Sequence, residues 1–123
     1  MNEFTIHAQL PSLNEYVKAN RSHWSKGDKF RKNIESIILW EIKLARSKKT
    51  LRPIEKPCEI LIEWHERTKR RDVDNIQSSQ KFILDALQYG GILKNDSRKY
   101  VKQIRHEIVD DKEDFVVVKF IEV

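Results

Sequence analysis

The 123-residue sequence is poor in the residues that build several common kinds of site. Its one cysteine, Cys58, cannot form an intrachain disulfide, and its apolar surroundings predict a buried strand residue rather than a nucleophile. Its three glycines form no glycine-rich phosphate loop, and no Ser-His-Asp arrangement is visible. Its four histidines lie too far apart in the chain for zinc-ligand spacing. Disulfide, thiol, phosphate-loop and zinc chemistry are therefore not indicated.

Long apolar runs are lacking as well. None approaches the roughly 18–20 residues of a membrane-spanning helix. Residues 1–9 carry Glu3 and His7 where a secretory signal peptide would be apolar. We therefore expect a cytoplasmic protein.

What the sequence has in quantity is charge. Lysine and arginine number 24 against 19 aspartates and glutamates, which gives a net charge of +5, and the hydrophobic fraction is 39%. The apolar residues cluster in periodic stretches without a repeat or a linker, so we expect one folded domain over residues 1–123. The basic excess makes nucleic acid the first partner to consider, although lysines also keep many surfaces soluble.

Hydrophobic periodicity predicts a mixed fold. Asp74 is the predicted N-cap of the second helix, Gly90-Gly91 its stop, and Asp110–Asp114 a solvated turn. In chain order the predicted elements are strand 3–10, helix 24–47, strand 59–65, helix 75–89, and a hairpin of strands 99–109 and 115–122. The order β-α-β-α-β-β predicts an α/β (α+β) fold, with a small mixed sheet of about four strands and two main helices.

The densest chemistry lies in the segment Arg67–Asn75, where acids that could hold a cation sit beside four bases that could hold phosphate. Asp72 and Asp74 are two residues apart, so in an extended segment both would point to one face and could share a metal ion. Hard divalent cations such as Mg2+ bind through a few carboxylates and keep positions for water and phosphate. Alternatively, Asp74 only caps the helix and Asp72 only pairs with an arginine.

The following helix adds a polar face. Asp74, Ser78, Lys81 and Asp85 are spaced by four, three and four residues, which predicts that they line one side of the helix, away from its apolar stripe. The alternative is an ordinary surface pair of Lys81 with Asp85. Asp96 lies in a loop before the next predicted strand, where it could return to the site as a third ligand.

Four stretches of the sequence together resemble the RusA family of Holliday junction resolvases, found mainly in bacteria and their phages. They occur in order over most of the chain: Leu10–Asn14, Arg71–Asn75, Lys81 followed by Phe82–Leu87, and Gly91–Asp96. By resemblance, Asp72, Asp74 and Asp96 match the family's metal-binding acids. Lys81 matches its essential lysine, and Arg71 matches the basic residue before the first acid.

Two features of the chain depart from the family pattern. About three additional residues lie between the Asp pair and Asp85-Ala-Leu, so Lys81 matches only when counted back from Asp85. Ser78 stands at the lysine position when counted forward from Asp74. Asn95 replaces a second acid that often precedes the aspartate matching Asp96.

The resemblance implies Mg2+-dependent cleavage of branched DNA, with Mn2+ as a substitute ion. We expect Asn75 and Asp85 to support the metal site. A four-way junction has near two-fold symmetry, so paired cuts imply a homodimer. Contacts with DNA phosphates are expected from Arg67, Lys69, Arg70, Arg71, Arg21, Lys26, Arg98 and Lys99. The competing hypotheses are a non-catalytic basic DNA-binding module and a phage regulatory protein that binds a protein partner.

Overall fold

The computed structural model describes residues 2–95 and 97–123, and in this part of the chain four strands form one mixed sheet. The strands lie in the order β1-β4-β2-β3; β2 and β3 are parallel, and the other two neighbouring pairs are antiparallel. Their bounds are Asn2–Ile6 for β1, Cys58–Glu66 for β2, Val101–Asp110 for β3 and Phe115–Glu122 for β4. The predicted α/β (α+β) class with a mixed sheet of about four strands is confirmed.

The predicted hairpin is wrong, although both of its strands exist. β3 and β4 do not pair with each other, because β2 lies between them. Their connection crosses the carboxyl end of β2, where Asp111 N–H donates to the carbonyl of Glu66 and Arg67 N–H donates to the side chain of Asp114. The apolar β4 takes an inner position, whereas the more charged β3 lies at the edge, where charged side chains reach solvent.

The first strand is shorter than the predicted 3–10. β1 pairs only with β4, and its last residue, Ile6, lies opposite Val116 at the start of β4. Residues beyond Ile6 therefore have no strand to pair with. The backbone N–H of His7 instead donates to the carboxylate of Glu41 at 2.7 Å.

Two helices follow β1. α1 spans Leu13–Ser22 and α2 spans Trp24–Ser47, and the bounds of α2 match the prediction. α1 was not predicted, because its sequence is polar overall; none of its residues is completely buried. The helices meet closely at Gly27, where a Cβ atom would lie 2.4 Å from Oδ1 of Asn20.

The predicted helix 75–89 is in fact two helices, α3 over Val73–Gln77 and α4 over Gln80–Tyr89. Ser78 and Ser79 separate them, and both side chains bond to residues far away in the chain. The N-cap position of α3 belongs to Asp72 rather than to Asp74, so that part of the prediction is also wrong. The predicted stop is confirmed, because Gly90 is the C-cap of α4 and Gly91 has φ of +76°.

The core lies between the helices and one face of the sheet. Alternate residues of β2, including Trp64 at 1% exposure, pack there with side chains of α2 and α4. The indole N–H of Trp64 donates to Nδ1 of His106 at 2.9 Å, and the other ring nitrogen of His106 lies 2.9 Å from Oε1 of Gln80. The contacts of Trp64, His106 and Gln80 tie β2, β3 and the first turn of α4 together.

Cys58 is buried as predicted, and burial raises the pKa of its thiol.

Candidate active site

Asp72 and Asp74 lie just beyond the carboxyl end of β2, on the short helix α3. Asp72 has extended backbone angles (φ −71°, ψ 157°), whereas Asp74 belongs to the first helical turn, so the expected common extended segment is wrong. Both side chains are exposed. Among the described residues, neither carboxylate caps the helix or lies in an ion pair. No contact therefore supports the alternative roles, a helix cap for Asp74 and an arginine partner for Asp72. Their oxygens remain open to a ligand from solvent.

The backbone that carries these two acids is held by the segment Leu10–Asn14. Arg71 donates to the carbonyl of Leu10 at 2.8 Å, and Ser79 donates to the carbonyl of Pro11. In the other direction, Leu13 N–H donates to the hydroxyl of Ser78, and the amide of Asn14 donates to Oδ1 of Asn75, both at 3.0 Å. These four hydrogen bonds fix residues 71–79 from one side while the two carboxylates face outward.

Segment Leu10–Asn14 is itself rigid, because it starts α1. The hydroxyl of Ser12 accepts from the N–H of Glu15, and the carboxylate of Glu15 accepts from the N–H of Ser12, which is a complete capping box. The support of the Asp segment is therefore a helix start, not a flexible loop.

Arg71 is engaged in the protein rather than presented to solvent. Its guanidinium makes two hydrogen bonds of 3.0 Å to the carboxylate of Glu66, a residue of 5% exposure. Gln9 contacts the same carboxylate at 3.4 Å. The Arg71–Glu66 pair joins the end of β2 to the residue before Asp72. It therefore fixes the turn between β2 and α3.

Lys81 lies in the first turn of α4, directly after the break between the two helices. Its ammonium group is 3.8 Å from the carboxylate of Asp85, and two thirds of its side chain is exposed. Ser78, at the alternative lysine position, is engaged, because its hydroxyl donates to the carbonyl of Asn75 and accepts from Leu13. Of the two positions, only Lys81 presents a mobile charged group to solvent.

Asp96 lies outside the described residues. Within residues 2–95 and 97–123, no group of three or more histidines, cysteines, aspartates or glutamates is arranged to hold a metal ion.

The predicted DNA-contacting residues lie in three places. Arg67 and Lys69 are on the exit of β2, near the carboxylates of Asp114 and Asp110 at 3.9 and 3.8 Å, and Arg70 is exposed beside them. Apart from Arg71, described above, the other four are exposed on different elements: Arg21 and Lys26 flank the junction of α1 and α2, and Arg98 and Lys99 precede β3. Only the first group shares a segment with Asp72.

The turn Asp110–Asp114 is bound to β2, so the expectation of a merely solvated turn is incomplete. His65 lies between Oδ2 of Asp111, at 2.8 Å, and Oε1 of Glu63, at 3.3 Å, and its ring stacks on Phe115. A hydrogen bond from Lys119 and a second from His65 hold the pKa of Glu63 below its ordinary value. The backbone N–H of Lys112, followed by His65, lowers the pKa of Asp111. These contacts fix the turn over the end of β2, next to the candidate site.

The sequence of the chain matches a protein-family model. Residues 3–120 match the model of the family described as endodeoxyribonuclease RusA. The chain belongs to the RusA family. The resemblance drawn from the sequence is thereby confirmed over residues 3–120, and RusA-family proteins are nucleases that act on Holliday junctions. No curated protein sequence matches the chain. Within the described residues, no helix has the length and apolar character needed to cross a bilayer.

Sequence reasoning missed three residues that shape the candidate site. Glu66, Asn14 and Ser79 each bond to the Asp segment or its flanks. A signal for Glu66 was available, because it shares the core-facing register of β2 with Ile62 and Trp64 and lies close in sequence to an arginine. Asn14 belongs to a stretch that resembles the family, but no local pattern reveals its partner. Ser79 had no sequence signal.

Proposed function

We propose that this RusA-family chain is a Mg2+-dependent, structure-specific endonuclease that resolves four-way DNA junctions by paired phosphodiester cuts in recombination and repair. The observation that carries the proposal is the pair of exposed carboxylates of Asp72 and Asp74, on a backbone segment held by four hydrogen bonds to Leu10–Asn14. A fixed backbone with open acidic oxygens is suited to bind a metal ion and a phosphate together.

The donor set fits a hard divalent cation. Asp72 and Asp74 offer carboxylate oxygens, and no nitrogen or sulfur ligand stands among the residues that flank them on α3. Mg2+, with Mn2+ as a substitute, prefers oxygen ligands and usually binds through few protein groups. We propose Asp96 as a third ligand. A bound cation supplies Lewis acidity to the scissile phosphate and activates water.

The chain's own residues take three roles in this proposal. Lys81 contributes a positive charge to the phosphate in the transition state, because its exposed side chain can leave Asp85 at little cost. Arg71 positions the backbone before Asp72, because its three described hydrogen bonds go to Glu66 and Leu10. Asn75 and Asp85 support the site from the two helices.

Paired cutting requires two such sites, and we propose a homodimer as the active form. The DNA arms then contact basic side chains through phosphates, with little reading of base sequence. The proposed phosphate contacts are Arg67, Lys69, Arg70, Arg21, Lys26, Arg98 and Lys99. Arg71 contributes indirectly, by holding the segment that carries Asp72.

Cleavage of a synthetic four-way junction tests the proposal. We expect symmetrical nicks with Mg2+, none with EDTA, and little cutting of a linear duplex of the same sequence. Junction binding without metal-dependent cleavage would instead support a non-catalytic DNA-binding module. A chain that shows no salt-sensitive DNA affinity would support a role in binding a protein partner.

A further inference from the structure

Strand β3 forms one edge of the sheet and is long for an edge strand. It spans ten residues, Val101–Asp110, and pairs with β2 on one side only. No strand or helix among the described residues hydrogen-bonds to its outer side. An edge of this length presents a row of unpaired backbone groups, which is a template for another strand.

The hydrogen bonds to β2 determine which residues of β3 face outward. Glu66 is the register partner of Asp110, and Asp111 N–H donates to its carbonyl, so Asp111 faces β2. Backbone groups of successive strand residues point to alternate sides. The one register shift lies between Cys58 and Glu59, ahead of Gln103. From Gln103 onward, the even-numbered residues therefore direct their N–H and C=O groups away from the sheet; these are Ile104, His106, Ile108 and Asp110.

Two copies of β3 can pair antiparallel only in certain registers. The outward N–H and C=O groups of one copy must face those of the other, so even-numbered residues must lie opposite even-numbered residues. The two-fold axis therefore has to pass through a residue rather than between two residues. An axis at position 105 would set Arg105 opposite its own copy, and an axis at position 107 would do the same for Glu107. Of these three central axes, the one at His106 pairs opposite charges, because it sets Arg105 opposite Glu107 twice.

We propose that the chain forms its homodimer by antiparallel pairing of β3 with β3 of a second copy, with the two-fold axis at His106. This inference rests on the homodimer of the proposed function, not on its chemistry. The two sheets would join into one sheet of eight strands, with the helices of both copies on the same side, and each outer edge of β3 would lose its unpaired backbone groups.

The side chains of this register suit a two-fold interface. Ile104 would lie opposite Ile108 on the helix side of the sheet, where both are half-buried in the single chain. His106 would lie opposite its copy, and burial lowers the pKa of this imidazole, so the two rings meet uncharged near neutral pH. On the other face, Arg105 is half-exposed and 3.8 Å from Glu59 of its own chain, which leaves its guanidinium able to reach Glu107 across the interface.

Charge reversal tests the register. Sedimentation equilibrium, without DNA, would compare the wild-type chain with Arg105→Glu, Glu107→Arg and the double variant. Each single reversal creates two like-charge pairs per dimer, so we expect the dissociation constant to rise roughly tenfold or more. The double variant restores two opposite pairs and should return the dissociation constant close to the wild-type value.

Two control variants separate the interface from other effects. Lys112→Glu reverses an exposed charge just beyond β3, and Glu59→Gln removes the partner of Arg105 within the chain; both should leave the dimer intact. A wild-type monomer at micromolar concentration, a dimer indifferent to both single reversals, or a folded double variant that stays monomeric would each overturn the proposal. The nuclease assay is a separate readout: a chain that dimerises in this way without cutting refutes the proposed chemistry and leaves the interface standing.

Discussion

Arg71 and Glu66 form a two-pronged ion pair, with both hydrogen bonds at 3.0 Å, immediately before the first candidate metal ligand. The carboxylate is 5% exposed, and the same guanidinium reaches the carbonyl of Leu10. A basic residue beside an acidic cluster is usually interpreted as a phosphate contact. Here its described contacts hold the turn that leads into Asp72, so its influence on cleavage should pass through the shape of the site.

The first prediction concerns this pair. Glu66→Ala should lower the free energy of unfolding by about 3 kcal/mol, because it leaves the guanidinium of Arg71 poorly solvated and without its partner. Glu66→Gln keeps one acceptor and should lose less. Urea denaturation measures both. Glu59→Ala, which breaks a more exposed pair with Arg105, is the control and should change stability by less than about 1 kcal/mol. Equal losses for Glu66→Ala and the control would show that the pair is not structural.

The second prediction concerns the acids. Asp72→Asn, Asp74→Asn and Asp96→Asn should each abolish cutting of a four-way junction while junction binding persists, because each removes a ligand charge and spares the phosphate contacts. Gel-based cleavage and binding assays on the same preparations measure this. Asp28→Asn is a matched control on α2, where the carboxylate pairs with Arg31 and Lys32 at the surface. Retained cleavage in all three Asp variants would refute the metal site.

The third prediction separates Lys81 from Ser78. Lys81→Ala should reduce the single-turnover cleavage rate roughly a hundredfold and affect binding far less, because one charge donor of the transition state is lost. A near-normal rate in a folded Lys81→Ala protein would contradict this role.

Ser78→Ala should act differently, through the backbone. It leaves Leu13 N–H without its acceptor, which should cost about 1–2 kcal/mol of stability. Its cleavage rate should recover when the protein is assayed well below its unfolding temperature. A rate loss as deep as that of Lys81→Ala in a fully folded protein would argue for a direct role of Ser78.

The fourth prediction concerns acid stability. The folded-state pKa of Glu63 lies below its ordinary value of 4.5, chiefly because Lys119 donates a hydrogen bond to it. Its contribution to stability is thus present above pH 4.5 and is lost as the pH falls through the lower folded-state pKa. Glu63→Gln should flatten the decline of the unfolding free energy below pH 4.5, whereas Glu113→Gln, on the exposed turn, should not. Parallel slopes for wild type and Glu63→Gln would contradict it.

Local patterns predicted those parts of the fold whose causes are local. The long helix α2 has a regular apolar stripe, and its bounds match the prediction. The side chains of β2 alternate between the two faces of the sheet, and one of these faces is buried. Gly90-Gly91 ends α4 as expected. The unpredicted α1 also carried a local signal, since Ser12 and Glu15 have the spacing of a capping box.

The remaining features depend on partners far away in the sequence. The helix break at Ser78-Ser79 follows from bonds to Leu13 and Pro11, more than sixty residues away, which no window around the break contains. The order of the strands likewise reflects competition for the inner positions of the sheet. For the site, sequence and family resemblance indicated Asp72, Asp74 and Lys81, but the engagement of Arg71 became visible only once Glu66 was found in the core register of β2.

The place of β4 between β1 and β2 has a consequence for how the chain folds. β1 is the first strand to be synthesised, yet its partner in the sheet is β4, the last strand along the chain. During synthesis, the backbone groups of β1 and of one side of β2 cannot form their sheet hydrogen bonds until β4 has been made. Sheet assembly is therefore dominated by contacts between distant parts of the chain, which makes folding slow compared with a helical bundle of this size. A ribosome that stalls before β4 emerges would release a chain with two unsatisfied strand edges, which is a substrate for chaperones or for aggregation.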